Sequence, residues 1–237
     1  MQLRTNEEAI RIIYQCAVEY RENLSNKFVL FITAKDNNTA GFETLFLPQN
    51  FKHLTGVGSR LSGADFFGLA VRNRLSPNEI TLAKDGTTDL KLDVLPQLMN
   101  IHLTARMAGD YDYSKTLLVA DKIAGTVTAA LGFVQTKNIY LPKTALKADV
   151  RDITVQSTRR RIIAIFVKPR KDALYRQLTY IAKDISLDEV VHTHTIHDRI
   201  DRYNLVGATL PEPNKPLQER LPEAQKKADE HKKSPDG

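Results

Sequence analysis

The sequence predicts an α+β fold, with N-terminal helices packed on a largely antiparallel sheet. Near the N-terminus, apolar residues recur at helical spacing behind a capping signal. From about Thr116 the apolar runs become short and strand-like, with brief turns between several of them. Helices thus gather early and strands late, which is the α+β pattern rather than a repeating βαβ wrap.

In order along the chain, Thr5-Asn6-Glu7-Glu8 fits a capping box. Behind it Ile10, Ile13, Ala17, Tyr20 and Leu24 recur at helical spacing, which predicts an amphipathic helix over about residues 6–24. Phe28–Ile32 and Phe42–Leu47 read as two strands. The Asp36-Asn37-Asn38-Thr39 turn joins them as a hairpin, and Pro48 ends the second, because it denies the sheet an amide. Ser62-Gly63-Ala64-Asp65 caps a further helix carrying Phe66, Phe67, Leu69, Ala70 and Val71. Ser76-Pro77-Asn78-Glu79 is a third cap, with proline at the first helical position. A helix from about Asp89, with Leu90, Val94, Leu98, Ile101 and Ala105 on one face, is expected to reach a C-terminal cap at Gly109 and to be irregular around Pro96. The later strands are read at Leu117–Val119, Ala130–Val134, Asn138–Leu141, Arg161–Val167 and Leu178–Ala182. This assigns residues 1–186 to one α+β domain and 187–210 to an extension. Residues 211–237, punctuated by Pro211, Pro213, Pro216 and Pro222, form a charged tail expected to bury little.

Composition narrows the function classes. The chain has 237 residues, of which 42% are hydrophobic, enough for a packed core. Its single cysteine, Cys16, excludes an internal disulfide framework and sits in a helical apolar pattern as a buried thiol. A reducing, cytoplasmic setting is the default expectation. No signal-peptide core and no apolar run of membrane-spanning length is present, so no membrane partner is expected. Net charge is +6, and residues 211–237 hold six acidic and six basic side chains, so the excess belongs to the preceding body. A basic body favours polyanionic partners.

The most suggestive stretch runs from Phe46 to Arg60. It leaves a strand at Pro48 and gathers Lys52, His53, Thr55 and Arg60 within nine residues. Gly56 and Gly58 let its backbone turn tightly or approach a ligand. His192, His194, His197 and Asp198 form a second cluster, in which two histidines would share one strand face as metal ligands do. It matches no familiar zinc spacing and reads better as a solvated polar segment. Arg159, Arg160 and Arg161, followed by Lys168, Arg170 and Lys171, form the clearest basic patch, either a solvated strand edge or a phosphate-contacting face. His102 reads as a satisfied helix histidine. Phosphate-loop, dinucleotide, nucleophile-elbow and zinc-protease fingerprints are absent.

What remains is metal-independent chemistry without a cofactor. RNA carries its own nucleophile in the 2′-hydroxyl, so its cleavage needs a base, an acid and cations for the phosphorane charge. His53 suits either proton role. Thr55 would orient the phosphate, and Lys52 or Arg60 would neutralise it.

Several segments together resemble a known family. They are Phe46-Leu47-Pro48 with Asn50-Phe51-Lys52-His53-Leu54-Thr55-Gly56-Val57, then Asp85-Gly86-Thr87-Thr88, Leu95-Pro96-Gln97-Leu98-Met99 and Arg151-Asp152-Ile153. In this order, over about residues 30–185, they resemble the fourth subtype of the phage Barnase–EndoU–colicin–RelE-like nuclease domains. The resemblance implies an RNase-like fold with a curved antiparallel sheet, carriage on phages or other mobile elements, and metal-independent endoribonuclease activity. It points to His53-Leu54-Thr55-Gly56 as the site. Lys143, Arg161 and Tyr180 are added from residue type and position as RNA-contacting groups. RNA is the expected partner, with a cognate inhibitor protein as a second. The rival expectation is a non-catalytic nucleic-acid- or protein-binding phage factor.

Overall fold

The computed structural model describes residues 3–36, 38–115, 119–187, 190 and 197–207. Helix α1 spans Asn6–Asn23 and starts at the expected capping box: the Thr5 hydroxyl accepts from the Glu8 amide, and the Glu8 carboxylate accepts from the Thr5 amide. Its inner face buries Ala9, Ile13, Cys16, Ala17 and Tyr20. Burial pushes the Cys16 thiol up to about 12, so it is an inert core group. Tyr20 is fully buried, and its hydroxyl donates to the Leu47 carbonyl at 2.9 Å. Its ring meets Phe46, Phe51 and Phe67 at centroid distances of 5.2–6.2 Å, which locks α1 onto the chain just after the second strand.

Strands β1 (Lys27–Lys35) and β2 (Asn38–Phe46) form the expected hairpin. Pro48–Asn50 then makes a 3-10 turn, followed by the short helix α2 (Phe51–Thr55), α3 (Gly63–Val71), α4 (Thr87–Leu98) and α5 (Ile101–Thr104). Strands β3 (Met107–Asp110), β4 (Lys122–Gly125), β5 (Ala130–Thr136) and β6 (Ile139–Leu146) precede a short helix α6 (Val150–Ile153). Strands β7 (Arg160–Pro169) and β8 (Gln177–Ile181) complete the sheet.

The strand order is β1-β2-β6-β5-β4-β3-β7-β8, and β1 also pairs with β7, so seven strands close into a ring with β8 attached to β7. Every pairing is antiparallel except β2 with β6, which meet in parallel through a single residue pair, Thr44 and Tyr140. The main core joins side chains of the strands, among them Phe31, Phe46, Leu131, Phe133 and Ile165, to the buried faces of α1–α4. The architecture is α+β, as expected, and the curvature of the sheet extends to closure.

The expected long helix ending at Gly109 is divided instead. Pro96 lies inside α4 and leaves the turn before it without one amide bond, and Asn100 departs from helical geometry between α4 and α5. Gly109 belongs to β3, where a Cβ would approach the Thr154 Cβ to 3.0 Å. Strand β4 lies at Lys122–Gly125, whereas Val119 is outside any strand and residues 117–118 of the expected one are outside the described residues.

A second apolar cluster covers another face of β1 and β7. Leu30, Ile32, Ile163 and Phe166 pack there with Tyr175, Leu178, Val190 and Ile200. Isolated bridges from Tyr175 to Ile200 and from Gln177 to Val206 attach residues 197–207 beside β8, and Arg199 and the Tyr175 hydroxyl both reach Glu43.

The arginine patch is not a strand edge, because β7 is flanked by β1 on one side and by β3 and β8 on the other. Arg159 donates to the Thr154 carbonyl and Arg160 to Thr33, while Arg161 pairs with Asp184. Lys168 donates to the Ala173 carbonyl at 2.7 Å. Most of this charge is therefore tied to the protein itself. His192 and His194 lie outside the described residues.

Candidate active site

Helix α2 has five residues, too few to be stable alone. It is held by Phe51 and Leu54, both fully buried, each contributing roughly 1.5–3 kcal/mol through burial. With Phe51, Leu54 and Thr55 turned inward, helical geometry turns Lys52 and His53 outward, and His53 is exposed. The helix ends on Gly56 at φ 73°, a left-handed cap that suits glycine.

His53 opens onto a cleft of about 360 Å³ that it shares with Lys52, Lys91, Lys143 and Thr144, with Gly56, Val57 and Val119 completing the wall. Helices α2 and α4, strand β6 and the segment at Val119 meet there. Lys91 comes from α4 and lies across Gly56, where a Cβ would sit 2.5 Å from the Lys91 Cδ. The absence of a side chain at Gly56 is what admits the lysine stem.

Lys143 owes its position to a break in the β5–β6 ladder. Gly132 pairs with Thr144 and Phe133 with Pro142, leaving Lys143 as the unpaired residue of a bulge. A bulge re-aims side chains, and here the consecutive Lys143 and Thr144 both line the cleft rather than facing opposite ways.

The segment around Asp85-Gly86-Thr87-Thr88 supports the same site. The Thr88 hydroxyl donates to the Gly56 carbonyl and accepts from the Ala83 amide, each at 3.0 Å. Gly58 and Thr81 exchange backbone bonds of 2.8 Å. Two sequence segments more than 20 residues apart are thereby joined behind the imidazole.

The electrostatics are one-sided. The cleft lining holds three lysines and no carboxylate. Partial desolvation, then the charges of Lys143, Lys52 and Lys91, hold the His53 pKa below its ordinary value. Burial likewise lowers the Lys91 pKa. Lys91 and Lys143 have no hydrogen-bond or ion-pair partner among the described residues, so their ammonium groups remain available to an anion.

The other expected groups sit differently. Thr55 is fully buried, with its hydroxyl donating to the Lys52 carbonyl at 2.7 Å and accepting from the Val57 amide at 3.3 Å. It braces the end of α2 behind His53. Lys52 borders the cleft but donates to the carbonyls of Ser59 and Leu61, both at 2.7 Å, clamping the following loop. Arg60 is exposed outside the cleft lining. Arg161 is paired with Asp184, and the Tyr180 ring lies 3.9 Å beneath the Arg106 guanidinium; neither lines the cleft. Lys91 was not anticipated. Its one sequence signal is a lysine on a helix directly after the Asp85–Thr88 segment.

A family model described as phage-Barnase-EndoU-ColicinE5/D-RelE like nuclease 4 matches residues 12–184 of the chain. That span contains every residue of the cleft. Neither curated proteins nor solved structures include a match. No helix among the described residues is long and apolar enough to cross a membrane.

Proposed function

The chain belongs to the phage-Barnase-EndoU-ColicinE5/D-RelE like nuclease 4 family, and from that premise we propose that it is a metal-independent endoribonuclease acting at the His53 cleft. The observation that carries this reading is one exposed imidazole facing Lys52, Lys91 and Lys143 in a single cleft.

With its pKa lowered, His53 is largely neutral near pH 7 and suited to act as a base. It takes the proton of a 2′-hydroxyl as that oxygen attacks the adjacent phosphorus. The P–O5′ bond breaks, and the leaving oxygen takes a proton from Lys91, whose burial makes its ammonium the more ready donor. Lys143, with Lys91, offsets the extra negative charge of the phosphorane. The products are a 2′,3′-cyclic phosphate and a free 5′-hydroxyl, and atoms and charge balance without a co-reactant. Thr55 and Lys52 are positioning residues: one braces α2, the other fixes residues 59–61 beside it.

The donor set supports metal independence, since one imidazole among three ammonium groups is a poor ligand field for a cation. The same basic cleft suits an acidic inhibitor protein. The phage or mobile-element origin belongs to this reading through the family resemblance, and the cytoplasmic site of action through the single, free cysteine.

The test is cleavage of a short RNA in the presence of chelator, beside the same RNA with single 2′-deoxy substitutions. Cleavage of the first and none at the substituted linkages is expected. His53→Ala should lower kcat at least 100-fold, the lower end of what a positioned proton-transfer group contributes, with an unchanged thermal midpoint. Tight RNA binding without products would favour the non-catalytic binding module instead, and undiminished cleavage by His53→Ala would remove the assignment.

A further inference from the structure

Beside the His53 cleft lies a second cavity of about 240 Å³, different in character. Its walls are largely apolar, formed by Leu90 and Tyr111 with Ala145, Leu146 and Ile153. Leu90 is 41% exposed on α4, an apolar side chain presented at the mouth, whereas Tyr111 is buried.

The two cavities are continuous through named residues. Lys91 lines both. On β6 the lining passes from Lys143 and Thr144 in the basic cleft to Ala145 and Leu146 in the apolar one. Thr87, from the segment that braces Gly56, stands on the apolar side. Lys147 also borders this cavity, but Asp93 holds it at 2.8 Å, so Lys91 is the cation left for a ligand.

We infer that this cavity seats a nucleobase flanking the phosphate bound at His53. The inference rests on the nuclease reading of that cleft. An apolar slot one step from a basic phosphate site matches a single-stranded nucleotide, whose charged backbone and flat apolar base need both surfaces at once. The volume is below that of a drug-sized site and accommodates one base rather than a stack. Lys91, at the junction, is placed to touch the phosphate while its stem borders the base.

The test uses full-length protein carrying His53→Ala to prevent cleavage, with binding followed by fluorescence anisotropy. The probes are a short single-stranded RNA and a base-free ribose-phosphate oligomer of equal length. The parent should bind the RNA about tenfold more tightly, the order expected when one base buries its apolar face in the cavity. Ala148→Leu, which fills the cavity from the loop after β6, should abolish that preference and leave affinity for the base-free oligomer unchanged. Ile153→Phe fills it from α6 and provides the same readout if Ala148→Leu does not fold, as judged by thermal unfolding. Equal binding of both probes by the parent, or a preference that survives in the folded variants, overturns the base site while leaving the nuclease reading standing. Binding of neither probe overturns the nuclease reading itself, and the base site with it.

Discussion

His53 is flanked by three positive charges and partly desolvated, so its environment disfavours the imidazolium. In the proposed mechanism the base is lost as pH falls through its lowered pKa, and the acid limb of kcat/KM is expected below 6.5. On the alkaline side Lys91 loses its proton below the ordinary lysine range, which narrows the profile from above. A rate profile measured with a short RNA checks both limbs, and an acid limb above 6.5 contradicts the cluster's influence on His53. His102 illustrates the opposite use of the same side chain. It is 8% exposed in α5, its Nδ1 has no hydrogen-bond partner, and burial pushes its pKa down to about 4. The folded protein therefore holds it neutral, while the unfolded chain takes up a proton below about 6.5. Its contribution is fully present above that value and is lost as pH falls toward 4, at most about 3 kcal/mol in all. Denaturant titrations from pH 7 to 4.5 should show the loss, and His102→Leu should flatten it; an equally steep loss in the variant refutes the assignment.

The β5–β6 bulge is the element that turns Lys143 toward His53, and Gly132 is its tightest partner. A Cβ at Gly132 would lie 2.9 Å from the Thr144 methyl carbon and 3.1 Å from the Ala120 Cβ. Gly132→Ala is thus expected to destabilise by roughly 1–3 kcal/mol, as overpacking does, and to lower activity by shifting Thr144 and Lys143. Thermal unfolding and cleavage measured together test this, and an unchanged midpoint contradicts it. Bulges are poorly legible in sequence, because an extra residue in one strand has meaning only against its partner. The hairpin β1–β2, the cap of α1 and the exit at Pro48 were legible because their signals are local. Strands β3 and β4, four residues each and containing alanine and glycine, carry no such signal. The His53 side of the candidate site could be proposed from its own stretch, but Lys91 could not be, since only the fold lays α4 over Gly56.

At the scale of the molecule, the arginines of β7, the most basic run in the sequence, are engaged within the fold. Lys91 and Lys143, which have no side-chain partner among the described residues, face the cleft instead. Charge count alone does not single out the cleft, because a cation already hydrogen-bonded or ion-paired within its own protein is less free to meet an anion. The ring of strands is also unevenly fastened. Its other junctions pair at least two residues, whereas β2 and β6 share only Thr44 and Tyr140. Local opening should use this seam, and amide exchange around Thr44 and Tyr140 is expected to outpace that between β1 and β7; uniform protection would contradict it. His53 follows β2 while Lys143 belongs to β6, so the proposed base and the proposed phosphate-binding cation stand on opposite banks of that seam. Breathing of the barrel there would change their separation directly, making the rate of the chemical step sensitive to the least stitched joint in the fold.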